Sequence, residues 1–255
     1  MGSLNPVEDT LAVKIKDLES RISSMERARQ PYAAVWVEIN EPAVYTDSDT
    51  SPLPFGVFSF ENTGFDANSR FSLGDKLRLK QGGSYKYFYI IDLTSTVLTI
   101  TGGTDYTLTN AIITDIARSS EPLPVGHPGL FNWNPNYNIH PDNTMSASSG
   151  SQNNHRFLIE GSILTMYVRK TSFQFSGTPS GVWWGYLPVA SEADAVVNEA
   201  VKFSTAFDDF ATLTMYDGDS VSNTYFSLIQ LSGVNYSTGT NASLWIKTSY
   251  IYTVN

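Results

Sequence analysis

The chain has 255 residues, of which 41% are hydrophobic and 13% aromatic, enough to build real cores in one or two domains. Its formal net charge of −9 argues against nucleic acid or anionic membranes as main partners. The absence of cysteine excludes disulfides and thiolate metal sites. Because we find neither a signal peptide nor an apolar run of about 18 residues, we expect cytoplasmic synthesis without membrane insertion.

The first thirty residues carry the heptad pattern of a coiled coil. Apolar side chains follow one another at spacings of four and three, which places them at the a and d positions. Oppositely charged side chains five residues apart then occupy g and e, the offset that links helices in a parallel assembly. The predicted oligomerisation residues are Leu11, Lys14, Ile15, Leu18, Glu19, Arg21, Ile22, Met25 and Glu26. We therefore expect residues 1–30 to form a short α-helical coiled coil that joins copies of the chain.

The number of strands in this coiled coil depends on two opposing signals. Isoleucine at a with leucine at d favours a dimer. In contrast, residues 21–26 (RISSME) resemble the Arg-hydrophobic-x-x-hydrophobic-Glu motif of short trimeric coiled coils. We predict a parallel homotrimer, with the dimer and an amphipathic helix packed on its own domain as alternatives.

Residues 33–118 have the alternating pattern of β-strands. Residues 76–80 alternate charged residues with leucine, which places both leucines on one face of a strand. The glycine pair Gly82 and Gly83 then predicts a hairpin turn, since glycine accepts the positive φ of tight turns. We expect a small antiparallel barrel or sandwich.

Residues 119–154 are rich in proline, asparagine and serine and are predicted to be a linker or a docked loop, with Phe131 and Trp133 packed onto a domain. Residues 155–255 return to short strands, and Gly161-Ser162 predicts a tight turn between two of them. Strands separated by turns about every ten residues favour a C-terminal jelly-roll-like sandwich. The predicted fold class is mainly β.

Metal chemistry finds little support in the sequence. His127, His140 and His155 have no spacing typical of a metal site, so we predict none. Asp217 and Asp219 flank a glycine, a pattern more typical of a hairpin turn than of an EF-hand, although a structural calcium stays an alternative.

Catalysis is not expected, and no cofactor is predicted. Glycoside hydrolysis requires two carboxylates across a cleft, and Asp208, Asp209 and Glu160 are the candidates. Nothing in the sequence brings two of them together. The Gly-x-Ser-x-Gly motif of serine hydrolases is absent.

The remaining functional signal is a cluster of aromatic residues. Trp183 and Trp184 are adjacent, so a strand would place them on opposite faces, with Tyr186 nearby. One tryptophan should enter the core. The other either binds a ligand such as a sugar or, as we favour, is buried between subunits or domains.

Four segments resemble a module that recurs in tailed-bacteriophage virion proteins. They are residues 74–81 (GDKLRLKQ), 85–90 (YKYFYI), 98–107 (LTITGGTDYT) and 124–133 (PVGHPGLFNW). In that family a short N-terminal coiled coil and a following β-sandwich are common. The resemblance implies a structural protein of the virion, attached to the head or tail as a fibre, spike or decoration, and it supplies no catalytic residues.

Together these observations predict a homotrimeric phage structural protein, a head or tail fibre or spike whose distal β domain binds the host surface, with a glycan as the expected ligand. Its other partners would be capsid or tail proteins. One alternative is a purely structural decoration or connector protein. Another is a carbohydrate-active enzyme carried on the virion.

Overall fold

The computed structural model describes residues 36–39, 57–61, 66–109, 112–135, 145–147, 152–177, 182–189, 200–204, 208–216, 225–230 and 241–252. Strands make up 61% of this part of the chain, which contains no α-helix, so the predicted mainly β, antiparallel class is confirmed. The predicted coiled coil at residues 1–30 lies outside the described residues. No helix within the described ranges is long and apolar enough to span a membrane.

Six antiparallel strands form the first sheet, in the order β1-β6-β3-β4-β5-β2. A short 3-10 turn at Ala67–Ser69 precedes β3. The strands are β1 (Val37–Ile39), β2 (Val57–Glu61), β3 (Lys76–Gln81), β4 (Ser84–Leu93), β5 (Val97–Thr101) and β6 (Thr114–Ser119).

Nine strands form the second sheet, with eight in the order β11-β14-β13-β12-β15-β10-β9-β7 and β8 paired with β10. They are β7 (Phe131–Asn132), β8 (Met145–Ala147), β9 (Gln152–Glu160), β10 (Ile163–Gly177), β11 (Val182–Tyr186), β12 (Ala200–Ser204), β13 (Asp208–Tyr216), β14 (Tyr225–Gln230) and β15 (Asn241–Ile251). The sheet curls until its two ends approach each other. Trp133 N–H donates to the His155 carbonyl beside β7, and Tyr186 N–H donates to the Pro135 carbonyl beside β11.

Both predicted hairpins are present. Leu77 and Leu79 of β3 are fully buried, so the charge–leucine alternation has the predicted orientation. Gly82 and Gly83 adopt φ of +62° and +82° between β3 and β4. Gly161 has φ of +60° in the β9–β10 turn, where an L-residue with a side chain would be strained.

The β3–β4 register places three cations opposite three tyrosines. The alternation that buries the leucines sends these cations to the other face of the sheet, where tyrosines of β4 meet them. The pairs are Lys76–Tyr89, Arg78–Tyr87 and Lys80–Tyr85. The ammonium of Lys76 lies 5.7 Å from the Tyr89 ring and that of Lys80 lies 5.6 Å from the Tyr85 ring. Such a contact contributes roughly 0.5–1 kcal/mol at an exposed site and about 2 kcal/mol when desolvated, and Lys76 and Tyr89 are both buried.

Strand β4 has no solvated face over its central residues. Phe88 and Ile90 are fully buried in the core of the first sheet, with Leu77 and Leu79. Tyr89 and Ile91, on the opposite face, are 2% exposed and belong to the core of the second sheet. The first sheet is therefore a wall shared by two cores, and the two sheets are packed together without a water layer at this strand.

Close backbone contact seals the seam between the two sheets. Gly74, which precedes β3, lies against the backbone of Gly161 in the β9–β10 turn. The hydroxyl of Tyr252 donates to the Gly161 carbonyl at 3.0 Å. A side chain at residue 74 would overlap the Gly161 backbone, so glycine is required there for steric reasons as well as for its φ of +79°.

We predict that Gly74→Ala destabilises the protein far more than Gly82→Ala. Both glycines have positive φ, so each substitution should cost about 1–2 kcal/mol through backbone strain. Only Gly74 meets neighbouring backbone, and the resulting overlap should add about 1–3 kcal/mol. Urea unfolding followed by tryptophan fluorescence measures both free energies.

The Gly82→Ala variant serves as the matched control because nothing lies within 4 Å of its added methyl group. Equal losses of unfolding free energy in the two variants would contradict the tight seam.

Candidate functional site

An open cleft of about 480 Å³ lies where the two sheets meet. One wall follows β5, and the other is formed by the segment leading into β7 and by β9. Its lining combines one aromatic ring, two apolar side chains and three polar ones. These residues are Asp105, Tyr106, Pro128, Leu130, Asn132 and Arg156.

Asp105 and Asn132 hold the two walls together. One carboxylate oxygen of Asp105 accepts from the Asn132 backbone N–H at 2.8 Å, and the other accepts from the Asn132 side-chain amide at 2.7 Å. Thr104 N–H donates to the Asn132 carbonyl at 2.8 Å. Gly103, with φ of +58°, lies against that same carbonyl, and a methyl group there would overlap it. The cleft is therefore built on fixed backbone.

Tyr106 forms the aromatic part of the cleft. Its half-buried ring packs edge-on against Tyr87 and Phe131, with centroid distances of 5.8 and 5.9 Å. Burial, followed by the neighbouring Tyr87 and Asp105, raises the pKa of the Tyr106 phenol. Since the ring contacts both cores, its orientation is fixed before any ligand arrives.

His127 supports the cleft from behind. Its ring is buried between Tyr89 and Phe131, with centroid distances of 5.0 and 5.2 Å. Nδ1 accepts from the Gly129 N–H at 3.1 Å, and the Tyr89 hydroxyl donates to the Gly129 carbonyl. These bonds shape the segment that supplies Pro128 to the cleft. Burial lowers the pKa of His127 to about 4, so the imidazole is neutral at pH 7.

The cleft continues onto the outer face of the second sheet. Asn132 pairs in register with Arg156, Arg156 with Tyr167, and Tyr167 with Lys247. Three strand spacings make this row about 14 Å long. Arg156 and Lys247 are exposed, and the Lys247 ammonium lies 5.5 Å from the Tyr167 ring.

The aromatic residues singled out from the sequence lie elsewhere. Trp183 and Trp184 are in β11, where their backbones pair with Leu228 and Ser227 of β14. Tyr186 ends that strand and is half-buried. Tyr186 is not among the described residues that line the cleft. The predicted oligomerisation residues, and Asp217 and Asp219, lie outside the described residues.

The other chemical candidates are not brought together. Asp208 and Asp209 are in β13 and Glu160 ends β9, and three strands separate β13 from β9 along the sheet. Within the described ranges no three His, Cys, Asp or Glu side chains form a group able to hold a metal ion. His155 is half-buried, and burial lowers its pKa to about 4.

Sequence reasoning did not identify the cleft. Asp105 and Tyr106 follow the glycine pair Gly102-Gly103, and Leu130 lies in the segment 119–154 that is predicted to be a linker or docked loop. A polar and an aromatic residue directly after a glycine turn is a weak signal by itself. The partners Asn132 and Arg156 come from segments more than twenty residues away.

We predict that His127 makes the protein acid-labile. Its native pKa of about 4 lies below the ordinary value of 6.5, so the unfolded chain takes up the proton first. Stability should therefore fall as the pH drops from about 6.5, and the loss should be complete below about 4. The difference corresponds to about 3 kcal/mol. Urea unfolding of the wild type and of His127→Gln between pH 7 and 4 measures it.

The variant should lose this part of the pH dependence even if it is less stable at pH 7. His155→Gln should remove a separate part of similar size, because burial lowers the pKa of His155 to about 4 as well. An unchanged pH slope in His127→Gln would contradict the prediction.

Comparison with known proteins does not assign this chain to a family. No protein-family profile, no curated protein and no solved structure matches it.

Proposed function

We propose that this chain is a homotrimeric structural protein of a tailed-phage virion, part of a head or tail fibre or spike, and that it binds a host-surface glycan through the cleft between its sheets. The resemblance of residues 74–133 to virion modules supports the virion role. The acidic, cysteine-free, β-rich composition agrees with it. Host lysis would release such a protein.

The observation that carries the binding proposal is the chemistry of the cleft. Sugars present apolar C–H faces that stack on aromatic rings, and hydroxyl groups that bond to planar polar side chains. Tyr106 and Leu130 supply the apolar surface. Asp105, Asn132 and Arg156 supply acceptors and donors in its lining. An open cleft of about 480 Å³ suits a short stretch of a longer chain.

Rigidity strengthens this proposal. The bonds between Asp105 and Asn132 and the packing of Tyr106 hold the cleft in one shape. A site that is already ordered loses little conformational entropy when the ligand binds. Glycan recognition, in which each contact is weak, depends on keeping that loss small.

Binding rather than catalysis is the activity we propose. Among the residues that the structure describes, Asp105 is the one carboxylate that lines the cleft, and both of its oxygens accept bonds from Asn132. Glycoside hydrolysis requires a second carboxylate on the other side of the scissile bond. The cleft is therefore better suited to holding a sugar than to cleaving it.

The proposed assembly combines the cleft with the N-terminal helix. Residues 1–30 would form a parallel three-stranded clamp beneath two β domains, a small barrel or sandwich at 33–118 and a jelly-roll-like sandwich at 155–255, joined by 119–154. The three clefts of one trimer, which would project together from the virion, would bind the same host surface. Avidity of this kind raises apparent affinity by factors of about 10²–10⁴ without any new contact.

We predict that the purified full-length chain has three times the 28.1 kDa mass of one copy at micromolar concentration. The double substitution Ile15→Asp with Ile22→Asp should dissociate it, because buried carboxylates at the a positions cannot be solvated. Light scattering coupled to size exclusion measures both masses. A monomeric wild type, or a trimer unaffected by the substitutions, would overturn the assembly.

We also predict that Leu130→Trp lowers binding to host cells at least tenfold. Leu130 is half-buried in the cleft lining, and indole there would fill the space that a sugar needs. Flow cytometry of labelled protein on host cells measures binding. Leu73→Trp, at a side chain 42% exposed outside the cleft, is the matched control and should bind normally.

Both tryptophan variants should keep the wild-type urea midpoint, which shows that the fold is intact. Equal binding by wild type and Leu130→Trp would exclude the cleft as the site. No binding of the wild-type trimer to host cells or their polysaccharide would favour the decoration or connector alternative.

A further inference from the structure

Charge is unevenly distributed in the second sheet. The chain as a whole has 25 acidic and 16 basic residues. In contrast, Glu160 is the only acidic residue in strands β7, β9, β10 and β15, and it lies at the end of β9. The same strands carry Arg156, Arg169 and Lys247, all exposed. An acidic protein therefore has a locally basic sheet face.

Register places these cations and two aromatic residues in an alternating arrangement. Tyr167 of β10 lies opposite Lys247 of β15, and two residues along the same face Arg169 of β10 lies opposite Trp245 of β15. Each ring thus has a cation across from it and another next to it along the strand. Arg156 of β9 flanks Tyr167 on the other side and connects this face to the cleft.

Trp245 is the more exposed of the two aromatic side chains on this face. It is 42% exposed and lies on the same face as Tyr167 and the cations. Lys247 lies over the Tyr167 ring at 5.5 Å. Neither Arg169 nor Lys247 forms an ion pair with another described residue. Their charges are therefore not balanced within the part of the sheet that the structure describes.

We infer that this face, defined by Arg156, Tyr167, Arg169, Trp245 and Lys247, binds an anionic polysaccharide whose charges are sugar carboxylates. The inference rests on the proposed glycan-binding function and extends the cleft along the sheet. Arginine and lysine would bind the carboxylates, with arginine able to form paired hydrogen bonds. Trp245 would stack on a pyranose face.

The aromatic residues separate this ligand from other polyanions. A polyphosphate chain could use the cations but has no sugar face to cover Trp245. Nucleic acid could also stack on the rings, and the net charge of −9 opposes every polyanion alike, so the choice between the two rests on the proposed glycan-binding function. A polyuronate satisfies both features. Its charges recur along the polymer, matching cations that recur on neighbouring strands about 4.8 Å apart.

The test uses the full-length protein and three defined polymers: alginate as the polyuronate, dextran as a neutral polysaccharide, and inorganic polyphosphate. Calorimetry at 50 mM salt should give binding to alginate at least tenfold tighter than to the other two. Arg169→Ala with Lys247→Ala should weaken alginate binding at least tenfold, as should Trp245→Ala. Raising the salt to 500 mM should abolish most of it, since screening shortens the reach of exposed charges.

The matched control is Arg70→Ala with Lys80→Ala, which removes the same charge away from this face: Arg70 is exposed in the turn before β3, and Lys80 of β3 is half-buried beside Asp115. It should bind alginate as the wild type does. Stronger binding to polyphosphate than to alginate, or an equal effect of the control pair, would overturn the inference. So would dissociation of the trimer by Trp245→Ala, since that places Trp245 between subunits.

Failure of this inference is distinguishable from failure of the proposed function. If the wild type binds host cells but not alginate, the glycan-binding proposal stands and the polyuronate assignment is wrong. If it binds neither, both are wrong.

Discussion

The structure depends on the burial of both faces of one strand. In β4, Phe88 and Ile90 enter one core while Tyr89 and Ile91 enter the other. At about 1.5–3 kcal/mol for each fully buried large apolar side chain, the two faces make comparable contributions. Neither sheet could move away from the other without exposing one face of this strand. The sheets are therefore coupled through residues next to one another in sequence.

This coupling explains why a rigid cleft exists. Tyr89, buried between the sheets, anchors the Gly129 carbonyl through its hydroxyl. The segment from Pro128 to Asn132 is thereby held against the turn that follows β5, where Asp105 binds it. A ligand site at such a seam is ordered because the two cores behind it hold its residues in place. Tyr106, Pro128 and Leu130 supply the apolar and aromatic part of its lining, and Asp105, Asn132 and Arg156 supply the polar part.

The sequence predicted the local structure well and the site poorly, for a physical reason. Alternation of charge and leucine at 76–80 determines a strand and its buried face, and Gly82 and Gly83 determine a turn, since both depend on neighbouring residues only. The sequence could not show that Tyr89 faces a second core rather than solvent. It also could not pair Asp105 with Asn132, because that contact depends on how two sheets pack.

Local charge, rather than net charge, decides what this protein can recognise. At physiological ionic strength, exposed charges interact over about 8 Å, less than the length of the row from Asn132 to Lys247. A polymer bound along that row would interact electrostatically with Arg156 and Lys247 rather than with acidic residues elsewhere. At longer range the net charge of −9 disfavours polyanions that lack a specific fit. The inferred binding of a carboxylated glycan therefore depends on how its sugar faces fit Tyr167 and Trp245, in addition to its charge.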